Sequence, residues 1–143
     1  RHGYVISYAG CPLVWKSQLQ TEIALSTTEA EYTGLSYSLR TAIPIMRLLA
    51  EMKAHGIPVA TQTPIINCTV FEDNAGAIEM ARSDKLRPRT KHMATKIHHF
   101  RQYVNNGALS IRHCRTEVQQ ADLFTKPLQA DALQRFRQMI QGW

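Results

Sequence analysis

Acidic residues are scarce in this chain, and none precedes Glu22. Eleven Asp and Glu face 17 Lys and Arg, a net charge of +6. That balance favours a polyanionic partner without identifying one. Cysteine is equally sparse. Cys11, Cys68 and Cys114 are odd in number and form no CxxC pair, which argues against a disulfide framework or a zinc site. They are expected to be small core residues in a reducing compartment. No stretch approaches the ~20 continuous apolar residues of a membrane span, and no signal-like N-terminus is present. Internal repeats and low-complexity segments are absent as well. These absences leave one ordinary globular domain over residues 1–143, soluble and intracellular, with no membrane partner.

The most informative stretch is Ser26-Thr27-Thr28-Glu29-Ala30-Glu31-Tyr32. Ser26 with Glu29, and Thr28 with Glu31, each fit the S/T-x-x-E box that satisfies backbone N–H groups at a helix start. Tyr32, Leu35, Leu39, Ala42, Ile43, Met46, Leu49 and Ala50 then recur at three- and four-residue steps, an apolar stripe to be laid on a sheet. Glu29 reads as a cap. Glu31, beside the stripe, reads as a carboxylate near the sheet edge that needs a cation or hydrogen bonds to stay ionised. Pro44 predicts a kink near Ile43, or two helices.

Before this helix, Tyr4 to Ala9 and Leu13 to Trp15 form a hairpin pattern about Gly10-Cys11-Pro12. After it, Ile65 to Phe71 reads as a strand that delivers Asp73 at its C-terminal end, where open α/β sheets place ligands. Asn74 to Arg82 and Lys91 to Asn105 read as helices, with a stop at Asn106-Gly107. Leu109 to Cys114 alternates as a strand, Asp122 enters a short helix stopped by Pro127, and Gln129 to Gln141 is a last helix. The order β-β-α-β-α-α-β-α predicts an α/β fold, a mixed sheet with helices on both faces.

Four strings in this order, STTEAEY, EDNAGAIEMA, RTKH and ADLFTKPL, resemble the ribonuclease H domain of copia-type LTR retrotransposon polyproteins. The resemblance covers residues 1–128, leaving 129–143 as a C-terminal helix. It implies a ribonuclease H-like fold and an endonuclease that cuts the RNA strand of RNA:DNA hybrids during reverse transcription. It also implies a reverse transcriptase domain in the same polyprotein as partner, and a cytoplasmic setting in virus-like particles. Glu31, Asp73 and Asp122 match three of the family's four catalytic carboxylates. The fourth is an aspartate on a first, central strand that the family places upstream of Gly3, and that strand is absent from residues 1–143. The expectation is a gap in the core, two unpaired sheet edges, and weak activity or self-association.

Hydrolysing a phosphodiester calls for an activated water, neutralised phosphorane charge and a stabilised leaving oxygen, which two divalent ions about 3.5–4 Å apart supply together. Mg²⁺ or Mn²⁺ prefers carboxylate oxygens to Cys or His, so Glu31, Asp73 and Asp122 are the expected ligands of two ions. Taken singly, each carboxylate also reads as a cap or a solvated charge. The basic run from Lys85 to Arg101 reads as a solvated face at Lys96 and Arg101. By resemblance, Arg89, Thr90, Lys91 and His92 contact phosphates, with Asn74 a further nucleic-acid contact. No aromatic is interleaved there, which disfavours base stacking and favours reading of duplex shape. His113 matches in type the loop histidine that helps product release in cellular ribonucleases H, but the alternation places it inside the last strand. Two other readings stand beside the nuclease: a fragment that binds hybrid duplex without cutting it, and a structural module of a polyprotein.

Overall fold

In the computed structural model of the protein, the described residues are 1–21, 23–61, 63–83 and 94–142, with side chains described outside 94–98. Strands β1 (His2–Tyr8) and β2 (Cys11–Gln18) form an antiparallel hairpin running from His2↔Gln18 to Tyr8↔Cys11. The chain reverses at Ala9 and Gly10, which have φ of 51° and 81°. Two consecutive positive φ values match the right-handed twist of a hairpin. The turn therefore lies earlier than Gly10-Cys11-Pro12. Pro12 is taken into β2 opposite Ser7, next to a register shift between Ile6 and Ser7, where its missing N–H is tolerated. Cys11 is exposed there, unlike the core cysteine expected; all three cysteines are free.

Helix α1 (Thr27–Ala54) starts as a capping arrangement. The Glu29 N–H donates to Ser26 Oγ (3.2 Å), while Glu29 Oε2 accepts from the Leu25 N–H (2.9 Å). Glu31 is thereby left out of the cap. The stripe from Tyr32 to Met46 is buried, although Ala50 at its far end is exposed. The helix runs through Pro44 as one element instead of two. Pro44 lies on the exposed face, where water can satisfy the carbonyl that loses its donor.

Strand β3 (Cys68–Glu72) pairs in parallel with β4 (Leu109–His113), from Cys68↔Leu109 to Glu72↔His113. Helices α2 (Ala75–Arg82) and α3 (Ala94–Asn105) join α1 over this pair. Their core contains Tyr32, Leu39, Ile78, Phe100, Leu109 and Ile111. Two short 3₁₀ segments, Thr116–Val118 and Gln120–Phe124, lead to α4 (Ala130–Gln141), which packs on β2 and the second segment. Arg101 ties α3 to the Ser83 carbonyl; it is not the solvated charge expected.

The chain is an α/β protein, but its strands form two separate two-stranded sheets where one mixed sheet is expected. The reason lies between β1 and β3. Consecutive residues of β1, from His2 to Ser7, and of β3, from Cys68 to Glu72, line one cavity of about 610 Å³ together with residues of α1, and the two strands are not paired. Backbone edges that face across a cavity cannot exchange hydrogen bonds, so the two pairs stay apart. Among the described residues, no helix is long and apolar enough to cross a membrane.

Candidate active site

Glu31, Asp73 and Asp122 all line this cavity, although 91 positions separate the first from the last. Glu31 projects from the first turns of α1. Asp73 follows the last residue of β3, in the turn that starts α2, and Asp122 sits in the second 3₁₀ segment. Neighbours fix Asp73 and the segment of Asp122. Thr116 Oγ1 donates to Asp73 Oδ2 at 2.8 Å, and Gln119 Nε2 donates to the Phe71 carbonyl at 3.1 Å, so the β4-to-3₁₀ connection is stitched to the end of β3. The Asp122 segment is held by the hairpin. Ser17 Oγ donates to the Phe124 carbonyl at 2.6 Å, and Gly3 packs so closely that an added Cβ would lie 2.5 Å from Phe124 Cβ. Near the Asp73 turn, Gly76 approaches Thr28 so closely that a Cβ would meet its Cγ2 and Oγ1 at 3.0 Å. This brings the start of α2 against the start of α1.

The electrostatics follow from this crowding. Glu31 keeps much of its surface accessible. Even so, partial burial at the cavity wall, then the charges of Asp73 and Asp122, raise its pKa above the ordinary carboxylate value. The thiol of Cys114 is raised by burial and then by Asp73, Glu72 and Asp122. Lys126 Nζ lies 2.6 Å from Asp122 Oδ2. That hydrogen bond raises the lysine's pKa against partial burial, and the charges of Asp122, Asp73 and Glu31 add to the rise.

Two participants escape a reading of the sequence. Glu72 is 6% exposed, accepts from the Asn74 N–H at 3.1 Å, and has its pKa pushed up to about 7, chiefly by burial. The period-two alternation of β3 contains the signal, because Cys68, Val70 and Glu72 share the inward face. Lys126 is the other. Its position four residues after Asp122 is the spacing at which a helical turn brings side chains together.

Asn74 serves as the N-cap of α2, its Oδ1 accepting from the Ala77 N–H at 3.0 Å. His113 is the last residue of β4, exposed and at the cavity wall. Arg89, Thr90, Lys91 and His92 lie outside the described residues. Among the described residues, no three His, Cys, Asp or Glu side chains are grouped closely enough to hold a metal ion. By type, the donor set fits a hard cation, since the four acids Glu31, Glu72, Asp73 and Asp122 line the same cavity. As arranged, Asp122 is engaged by Lys126 instead.

Comparison with known proteins gives this geometry a context. The chain is 35% identical over 139 residues to the retrovirus-related Pol polyprotein from transposon RE1 of Arabidopsis thaliana, covering 97% of the chain and 9% of that protein. It is 34% identical to the corresponding polyprotein from transposon RE2 of the same plant, with the same coverage. To the one from transposon TNT 1-94 of Nicotiana tabacum it is 28% identical over 138 residues, or 96% of the chain and 10% of that protein. The chain thus spans about a tenth of the length of the curated relatives it matches. No protein-family model and no solved structure matches it.

Proposed function

We propose that residues 1–143 are the ribonuclease H unit of a copia-type retrotransposon Pol polyprotein. Such a unit hydrolyses the RNA strand of RNA:DNA hybrids during reverse transcription, beside a reverse transcriptase domain of the same polyprotein and within cytoplasmic virus-like particles. The observation that carries this reading is the meeting of Glu31, Asp73 and Asp122 in one cavity, in a chain similar over 97% of its length to Pol polyproteins. A carboxyl whose pKa is raised by burial and by two neighbouring carboxylates, as that of Glu31 is, makes a costly arrangement unless a cation offsets the repulsion.

Glu31, Asp73 and Asp122 would hold two Mg²⁺ or Mn²⁺ ions. When bound, those ions supply an activated water and neutralise charge on the phosphate and the leaving oxygen. The chain's own contribution is positional. Thr116 fixes one oxygen of Asp73, leaving the other for an ion. Glu72 holds the Asp73-Asn74 turn through the Asn74 N–H. Arg89, Thr90, Lys91 and His92 would grip phosphates of the hybrid along its backbone. The cleft between β1 and β3 is the natural berth for a strand that carries the fourth carboxylate, supplied from outside residues 1–143.

A second reading is a module that binds hybrid duplex or partner domains without cutting. The observation that favours it is the engagement of Asp122 by Lys126, with no closed group of ligands among the described residues. Cleavage of a hybrid labelled on its RNA strand, with and without Mg²⁺, by a protein in which residues 1–143 follow a β-strand bearing one aspartate separates the two. The nuclease reading expects metal-dependent cuts that disappear with Asp73→Asn, Asp122→Asn or Glu31→Gln. Binding with no cuts under any metal condition would favour the module.

A further inference from the structure

Four acids line the cavity, but no lysine or arginine does among the described residues. Lys126 pairs with one of the four, Asp122, and its placement is built into the backbone. The Asp122 carbonyl accepts from the Thr125 N–H at 3.1 Å and the Lys126 N–H at 3.3 Å, closing a turn that returns the lysine over the aspartate. Thr125 Oγ1 adds a third contact to that carbonyl at 3.3 Å. Pro127 follows at once and ends the turn. The two side chains differ in exposure. Asp122 is 13% exposed and its carboxylate belongs to the cavity, whereas Lys126 is 49% exposed and reaches in from solvent.

An exposed i,i+4 pair contributes little to stability. This pair differs because its carboxylate lines the same cavity as Glu31, Glu72 and Asp73, and the charges of Asp73 and Glu31 act on the ammonium together with that of Asp122. It also occupies an oxygen that a divalent ion would need.

We propose that Lys126 is a tethered counter-ion of the acidic cleft, and that a divalent ion binds only by displacing its ammonium from Asp122. The lysine then sets the ion concentration at which the site fills. With the ion absent it keeps the cleft folded, and with the ion present it is released to the rim. This inference rests on the divalent-ion reading above.

The test is calorimetric titration of Mg²⁺ into residues 1–143 without nucleic acid, comparing the unaltered chain with Lys126→Met, Lys126→Gln and Lys126→Arg. Met keeps the apolar stem and removes the charge, Gln guards against a folding defect specific to Met, and Arg keeps the charge. The Met and Gln variants are expected to bind Mg²⁺ roughly fivefold more tightly, the equivalent of a partly exposed ion pair. The Arg variant should stay close to the unaltered chain. Thermal melting supplies the second readout. Without Mg²⁺ the charge-removing variants should melt lower than the unaltered chain, and saturating Mg²⁺ should close that gap. Binding by the variants alone would support the proposal in its strongest form. Equal or weaker Mg²⁺ binding by Met and Gln would overturn it while leaving the divalent-ion reading intact. No binding and no stabilisation in any of the proteins would remove both.

Discussion

Replacing Glu72 with Gln should make the protein more stable above neutral pH, an unusual result for a change inside a candidate active site. Glu72 is nearly fully buried, and its pKa is pushed from the ordinary 4.5 up to about 7. A carboxyl whose folded pKa lies above its unfolded value binds its proton more tightly when folded. Its contribution is therefore complete below about pH 4.5 and is lost as pH rises through about 7. Each tenfold gain in proton affinity corresponds to about 1.4 kcal/mol, so the whole effect is roughly 3 kcal/mol. Gln is neutral throughout and its Oε1 can still accept the Asn74 N–H. Buried His2 works in the opposite sense. Its pKa is lowered, first by burial and then by Lys16 and the N-terminus, so its contribution is lost as pH falls below 6.5. That contribution is common to both proteins and cancels in their difference. Urea denaturation of metal-free protein at steps from about pH 5 to about pH 8 measures the difference directly. It should grow from about 1 kcal/mol to roughly 3 kcal/mol in favour of Glu72→Gln. Parallel profiles, or a variant less stable at about pH 8, would refute the reasoning.

Gly3→Ala should cost about 1–3 kcal/mol, because the new methyl meets Phe124 Cβ at 2.5 Å and its carbonyl carbon at 2.9 Å; an unchanged urea midpoint would show that the hairpin can shift. His2 is stacked on Tyr37 at 4.5 Å, and neither of its ring nitrogens has a hydrogen-bond partner among the described residues. His2→Phe should keep the stack and raise stability by about 1 kcal/mol, with destabilisation at neutral pH as the contrary result. Arg89→Ala combined with Lys91→Ala should weaken hybrid binding and reduce the slope of log K against log salt by about 2, whereas an unaltered slope would return that segment to a solvated face.

The helical half of the fold is largely legible because its signals are local. Ser26 and Glu29 announce the start of α1, and the three- and four-residue spacing from Tyr32 to Met46 identifies its buried face. The element order is equally readable, since the strands are short runs with apolar residues set off by turn residues such as Gly10 and Asn106-Gly107. What escapes depends on neighbours that are distant in sequence. Pro44 reads as a kink or a division into two helices, and α1 continues through it as one element with Pro44 on its exposed face. Pro12 reads as part of a turn, and a register shift admits it to β2. The division into two sheets depends on whether β1 meets β3, and no local pattern contains that information. At the site, Asp73 and Asp122 stand out as acids in short motifs. Glu72 is hidden beside Asp73 unless strand alternation is carried one residue further, and Lys126 matters only once Asp122 is placed in the cleft.

The proposed ribonuclease H function requires the acidic cleft to cut RNA once a fourth carboxylate joins Glu31, Asp73 and Asp122. Its most direct test is a protein in which residues 1–143 follow a β-strand bearing one aspartate, assayed on a hybrid labelled on its RNA strand and on a DNA duplex control. The expected result is Mg²⁺-dependent cuts in the RNA of the hybrid alone, well above those made by residues 1–143 without the strand, and abolished by Asp73→Asn. Equal, robust cleavage with and without the added strand would contradict it, as would cleavage that survives Asp73→Asn.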